Sequence, residues 1–367
     1  MADHRQSQLD SLRALSVICV VFVHTRTRGN LLGDLAPLAV ALFFVLSGFL
    51  ITGILLDARA RAEAEGAGRG GVLRSFYLRR FLRIFPLYYA VLLVAVLLGE
   101  PVTRHYIAEL ATYRTNFLLA RLGNNLAPIT PLWSLAVEEH FYVFWPLIAL
   151  FASRRGLWIS MIVMIAGSVV ARAVLILNHA SHQAIANQTY AALDAIALGC
   201  VLAVLWRETT VEGRRPWIFR AMLVGLVAEL FRVALFVFPV SHGLAIRQLL
   251  NTLPFAMVCV WLVDLAAQDR LANWLRNRWL ARLGLVSYAV YVMHRYVMHF
   301  LGFDRERGWG VFALVLAATI VLATLSWHFF EGPINRLKRF FPYVPHDSRS
   351  RATIPEPIVS GEPSVAQ

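Results

Sequence analysis

Arg13 and His24 are the first side chains in the sequence whose types and spacing could do chemistry. In a helix, the eleven steps from one to the other turn through about 1100°, which returns both to within about 20° of one face, about 16 Å apart along the axis. A fixed cation at one end of that face could grip an anionic carrier. A near-neutral imidazole at the other could take a proton from a nucleophile. Each also has a plainer reading: Arg13 as a snorkelling anchor at a membrane edge, His24 as an interfacial histidine.

Three further stretches carry polar groups in apolar surroundings. In W-S-L-A-V-E-E-H-F-Y (Trp133–Tyr142), Ser134, Glu138 and Tyr142 recur every fourth residue and share a helix face. The adjacent Glu138 and Glu139 point about 100° apart, so they are not a catalytic dyad; one is expected to face the bundle and the other the headgroups. In S-Y-A-V-Y-V-M-H, Ser287, Tyr291 and His294 form a stripe, and His24, Glu138 and His294 reach similar depths on three helices. A structural hydrogen-bond network accounts for His294 as well as catalysis does. In R-S-F-Y-L-R-R-F-L-R, Arg79, Arg80 and Arg83 stand where forked guanidinium groups could bind phosphates, or where they could serve only as a topological stop signal.

Together these groups suit a long phosphorylated thioester. The phosphates of coenzyme A would sit at the arginines, and the slim arm would reach from Arg13 toward His24. His24 would deprotonate an acceptor hydroxyl that attacks the thioester carbonyl, with a carboxylate such as Glu138 orienting the imidazole. No G-x-S-x-G elbow is present, so a serine acyl-enzyme has no support.

The elements that must position these residues are membrane helices. Of 367 residues, 58% are hydrophobic and 16% charged, and mean hydropathy is +0.60. Soluble domains run about 45–50% apolar and about 25% charged. The composition excludes a disordered chain, a collagen and a disulfide-stapled module. Cys19, Cys200 and Cys259 all lie in apolar runs and read as small buried hydrophobes; no spacing suggests a metal site. Spanning segments are expected near 9–25, 35–56, 84–98, 132–152, 157–177, 189–206, 217–238, 247–266, 283–301 and 309–328. The first apolar run does not read as a cleavable signal. The expectation is an all-α polytopic bundle of about ten transmembrane helices.

With both termini cytoplasmic, inner segments hold 22 lysines and arginines and outer segments 7, as the positive-inside rule asks. The net charge of +13 and pI near 10.4 then need no nucleic-acid partner. Residues 57–83 are expected to form a basic inner loop, 99–131 a long outer loop, and 334–367 a disordered cytoplasmic tail. Asp194 and Asp264 have no evident partner, whereas Glu229 and Arg232 should neutralise each other at i+3.

The sequence resembles the acyltransferase-3 family of integral-membrane O-acyltransferases. The resemblance rests on L-D-S-L-R-A-L-S-V-I-C-V-V-F-V-H (Leu9–His24), F-F-V-L-S-G-F-L-I (Phe43–Ile51), Y-L-R-R-F-L-R-I-F-P (Tyr77–Pro86), Trp133–Tyr142, Ser287–His294 and F-F-E-G-P (Phe329–Pro333), in family order. It implies a membrane acyltransferase domain over 1–333 in the bacterial inner membrane. The implied reaction moves an acyl group, most often acetyl, from cytoplasmic acyl-CoA to a hydroxyl, commonly on a carbohydrate of the cell envelope. His24 is implied as the base, Arg13 as a donor-positioning residue, and Arg79, Arg80 and Arg83 as contacts for the CoA phosphates. Trp133, Ser134, Tyr142, Ser287, Tyr291 and His294 are expected to support the site, with no permanently bound cofactor. Many relatives carry an extracytoplasmic SGNH-type esterase domain. None is expected here, so transfer would finish within the membrane domain or with a separate extracytoplasmic partner. A transporter or flippase for a lipid-linked sugar is the competing reading, although no repeat or paired broken helices support it.

Overall fold

The computed structural model describes residues 7–26, 35–124, 126–238 and 242–343. Among them there is no strand. The long helices are α1 (Ser7–Arg26), α2 (Leu35–Ala64), α3 (Arg69–Leu97), α4 (Leu132–Phe151), α5 (Arg154–Leu177), α6 (Thr189–Glu208), α7 (Val211–Val237), α8 (Leu253–Ala267), α9 (Arg278–Phe300) and α10 (Trp309–Ser326). Among the described residues, seven helical stretches are long and apolar enough to cross a membrane: those containing α1, α2, α3, α5, α6, α8 and α10. The long helices α4, α7 and α9 fall outside that group. They carry Glu138, Glu139 and His140, Glu229 and Arg232, and His294 and Arg295, whose polarity offsets the apolar residues around them.

The expected basic loop is almost entirely helical. Residues 57–64 continue α2, residues 69–83 open α3, and only a short turn separates them. A hydropathy reading ends where the apolar run ends, but the helix continues beyond it. Several arginines in this region satisfy carbonyls that a helix C-terminus leaves unpaired. Arg59 donates to the Ala149 and Ala152 carbonyls (3.2 and 2.9 Å), and Arg69 to that of Leu150 (3.0 Å). The 99–131 segment holds three short helices, Pro101–His105, Ile107–Ala111 and Thr115–Leu122.

Two close crossings position the functional helices. A Cβ at Gly48 of α2 would collide with the Ile196 carbonyl of α6, and one at Gly199 of α6 with that of Val45. A Cβ at Gly284 of α9 would meet the Asp10 backbone of α1. Small residues let helix backbones touch in the way membrane bundles use. The Gly284 contact holds α1 and α9 together, so their polar residues face each other. α2 packs mainly on α6, and α1 on α9. By contrast, α3, α5, α7 and α10 turn exposed apolar side chains such as Leu93, Ile162, Val227 and Val321 outward.

Residues 334–343 belong to the folded structure. The Ser75 hydroxyl donates to the Pro342 carbonyl (2.8 Å), and Arg79 to those of Lys338 and Phe341 (2.9 and 3.2 Å). The remainder of the expected tail, 344–367, lies outside the described residues, as do Arg5 and Arg28 of the topology argument. Asp194 and Asp264 both have partners on neighbouring helices. Arg172 of α5 meets Asp194 at 2.8 Å with both side chains fully buried, and Arg214 of α7 meets Asp264 at 3.1 Å. Glu229 and Arg232 pair at 2.7 Å.

Candidate active site

Helices α1, α2, α3, α4 and α9 surround an inner cavity of about 170 Å³. Arg13, Arg80 and Arg83 line it, together with Glu138 and Glu139. Arg13, Arg80, Arg83 and Glu138 are each held in place. Arg13 pairs with Asp10 at 2.8 Å, one turn back on its own helix. Arg80 lies 5.0 Å over the Tyr142 ring. Arg83 donates to the Leu285 carbonyl (2.9 Å), sits 5.2 Å over the Trp327 ring and lies 3.9 Å from Glu331. Glu138 accepts from the Ser47 hydroxyl (2.6 Å), which accepts in turn from Tyr142 (3.1 Å). Ser287 lines the cavity while donating to the Gly284 carbonyl of its own helix (2.7 Å).

His24 opens instead onto a second cavity, of about 480 Å³, which Trp133 also lines. The two cavities are distinct, and Val40 and Tyr291 line both. Tyr291 is therefore part of the wall between them. Its hydroxyl donates to the Pro131 carbonyl (3.0 Å) and, with that proton committed, accepts from Ser134 (2.6 Å).

The imidazole of His24 is oriented by a second imidazole. His24 Nδ1 lies 2.9 Å from Nε2 of buried His294, and Nδ1 of His294 lies 2.7 Å from the Tyr291 carbonyl. A carbonyl only accepts, so His294 Nδ1 carries a proton, and in the neutral ring Nε2 is then an acceptor. His24 Nδ1 must donate to it. By this hydrogen-bond assignment, Nε2 of His24 keeps its lone pair. That is the tautomer a general base needs.

The sequence places Glu138 beside this imidazole; the structure places it in the other cavity, bonded to Ser47. The two glutamates expected to diverge both line one cavity. Arg79 does not line it; besides donating to the C-terminal carbonyls, its guanidinium lies 5.0 Å over Tyr343. Ser47 and Tyr288, which also line the inner cavity, have no role in the sequence reading. Ser47 lies within F-F-V-L-S-G-F-L-I, but no periodicity links it to Glu138.

Comparison with known proteins decides the class. Residues 6–328 match the family described as acyltransferase domain. The chain belongs to this family. The acyltransferase domain is 28% identical over 362 residues to YrhL of Bacillus subtilis, a candidate peptidoglycan O-acetyltransferase, spanning 89% of this chain and 54% of that one. It is 26% identical over 372 residues to the peptidoglycan O-acetyltransferase OatA of Listeria monocytogenes, spanning 89% and 55%. It is 25% identical over 356 residues to a candidate O-acetyltransferase of Staphylococcus aureus strain COL, spanning 89% and 57%. The chain thus spans about half the length of the curated relatives it matches. No solved structure matches it.

Proposed function

We propose that the domain transfers an acetyl group from acetyl-CoA, held in the inner cavity, to a hydroxyl of an envelope carbohydrate in the outer cavity. The carrying observation is the placement of a lone-pair-bearing His24 on the outer side of the Tyr291 wall, with three arginines on the inner side. Arg80 and Arg83 bind the phosphates of the donor, and Arg13 positions its arm. Glu138, fixed by Ser47 and Tyr142, keeps a polar wall along the arm's path. Arg79 serves the donor indirectly, by fastening the 338–343 segment against α3.

His24 Nε2 removes the acceptor's hydroxyl proton as that oxygen attacks the thioester carbonyl. A carbon–oxygen bond forms, the carbon–sulfur bond breaks, and the proton on His24 passes to the departing thiolate. His294 holds the tautomer throughout. Tyr291 must yield for the acyl end of the donor to meet His24, so its hydrogen bonds to Pro131 and Ser134 form the partition that opens. The three long polar helices join the seven apolar stretches as ten crossings of the bacterial inner membrane. The domain takes in the 334–343 segment fastened against α3, on the cytoplasmic side. Relatives named for peptidoglycan O-acetylation support an N-acetylated envelope glycan as acceptor.

The test is labelled acetyl-CoA supplied to membranes carrying the chain. Base-labile acetate is expected in the glycan fraction, with free thiol appearing in step. An unlabelled glycan and no thiol above the background rate would overturn the reading.

A further inference from the structure

The outer cavity has features beyond the proton acceptor it presents. Besides His24 and Trp133, its lining includes Gln183, Gln248, Asn251 and Thr252. The volume, about 480 Å³, lies within the roughly 300–1,000 Å³ usual for small-ligand sites. Amides and hydroxyls both donate and accept, as sugar hydroxyls do. Trp133 adds an apolar aromatic surface to the same wall.

Two of these groups have no hydrogen-bond partner among the described residues. Thr252 is only 5% exposed, and its hydroxyl makes no hydrogen bond; Asn251 Nδ2 is buried and equally unpaired. An unsatisfied buried polar group costs about 1–3 kcal/mol. Such groups persist where a ligand supplies the missing partner. The turn that carries them is also constrained. Asn251 sits at φ 40°, ψ −118°, a region few side-chain-bearing residues adopt. The carbonyl of Leu249, two residues earlier, accepts from Arg172 at 2.8 Å, and Arg172 is locked to buried Asp194. The Arg172–Asp194 clasp therefore helps fix a turn that sets two unpaired polar groups in the wall of the cavity containing His24.

We infer that Asn251 and Thr252, with Gln248, form the subsite that holds the acceptor sugar and presents one of its hydroxyls to His24 Nε2. This rests on the acyltransferase reading above and adds the residues that choose the acceptor. One ring hydroxyl satisfies Thr252 Oγ1, a neighbouring oxygen accepts from Asn251 Nδ2, and the ring rests near Trp133.

The experiment uses the purified full chain in lipid nanodiscs with labelled acetyl-CoA and methyl N-acetyl-β-glucosaminide as the probe acceptor. Thr252→Val keeps the shape and removes the hydroxyl; Asn251→Ala removes the amide; Thr252→Ser restores the hydroxyl. Thr252→Val and Asn251→Ala should each raise the KM for the sugar about tenfold while kcat falls less than threefold, and Thr252→Ser should return KM to within twofold of the parent. An unchanged sugar KM in both variants, with the parent active, overturns the subsite and leaves the acyltransferase reading intact. So does a kcat loss that Thr252→Ser fails to rescue, the mark of a purely structural role. A parent that transfers nothing to the probe and releases no thiol overturns both.

Discussion

The inner and outer cavities differ in how their polar groups are partnered. In the inner one, each arginine and Glu138 is held by the protein: Arg13 by Asp10, Arg83 by Leu285, Glu138 by Ser47. In the outer one, which has more than twice the volume, amides and hydroxyls line the wall beside Arg232, Arg247 and apolar side chains, and two polar groups have no partner among the described residues. A narrow space with fixed charges suits a thin anionic chain that enters the same way each time. A roomier space with unsatisfied neutral donors and acceptors suits a hydroxyl-rich ring. Tyr291 lies between the two spaces, and His24, backed by buried His294, lines the outer one. On the proposed reaction the contrast separates donor from acceptor by position, so a defect in one cavity should leave the kinetic parameter of the other largely alone.

The largest break in that comparison comes from the base. His24→Ala should lower kcat by about 10²- to 10⁴-fold, the usual share of general-base catalysis, with little change in acetyl-CoA affinity. Labelled-acetate transfer read beside donor binding checks it, and wild-type turnover would remove His24 from the chemistry.

His294 comes next. His294→Leu leaves His24 without its orienting acceptor and should cost about 10²-fold in kcat, as small misplacements of catalytic groups do. His294→Gln can accept from His24 and donate to the Tyr291 carbonyl, so it should recover most of that loss. If Leu and Gln behave alike, the tautomer argument fails.

Arg83→Gln sharpens the comparison from the inner side. A charge-assisted hydrogen bond contributes about 1.5–3 kcal/mol, so KM for acetyl-CoA should rise about tenfold or more while the sugar KM stays put. Steady-state kinetics with each substrate varied will show whether the two parameters move separately. The smallest effect belongs to Tyr291→Phe. It loses the hydrogen bonds to Pro131 and Ser134, loosens the partition, and should raise acceptor-free hydrolysis of acetyl-CoA a few-fold. An unaltered hydrolysis rate would show that those bonds do not hold the wall.

How far all this was legible in the sequence depends on the kind of contact. The interiors of seven stretches were legible because a spanning helix must be apolar over about 20 residues, whereas α4, α7 and α9 carry too much polarity to meet that test. The helix ends were not: α2 and α3 continue through a charged stretch where hydropathy has no signal. Facing within one helix was legible too, and Arg13 and His24 line successive cavities along α1. Contacts between helices were invisible. Spacing placed His24 and His294 at one depth but could not show their rings 2.9 Å apart at the nearest nitrogens. The same blindness left Asp194 without Arg172, and assigned Glu138 to an imidazole it does not meet. The strained turn at Asn251 carries no sequence signature, because Asn and Thr are ordinary loop residues.

The central claim is that acyl donor and acceptor approach His24 from opposite sides of the membrane. Sealed vesicles with the chain in a single orientation test it, with acetyl-CoA confined to the face that bears Arg83 and methyl N-acetyl-β-glucosaminide to the other. Acetylated sugar is expected on the far side, in the absence of any leak of either substrate. Product that forms only when both substrates share one compartment would contradict it.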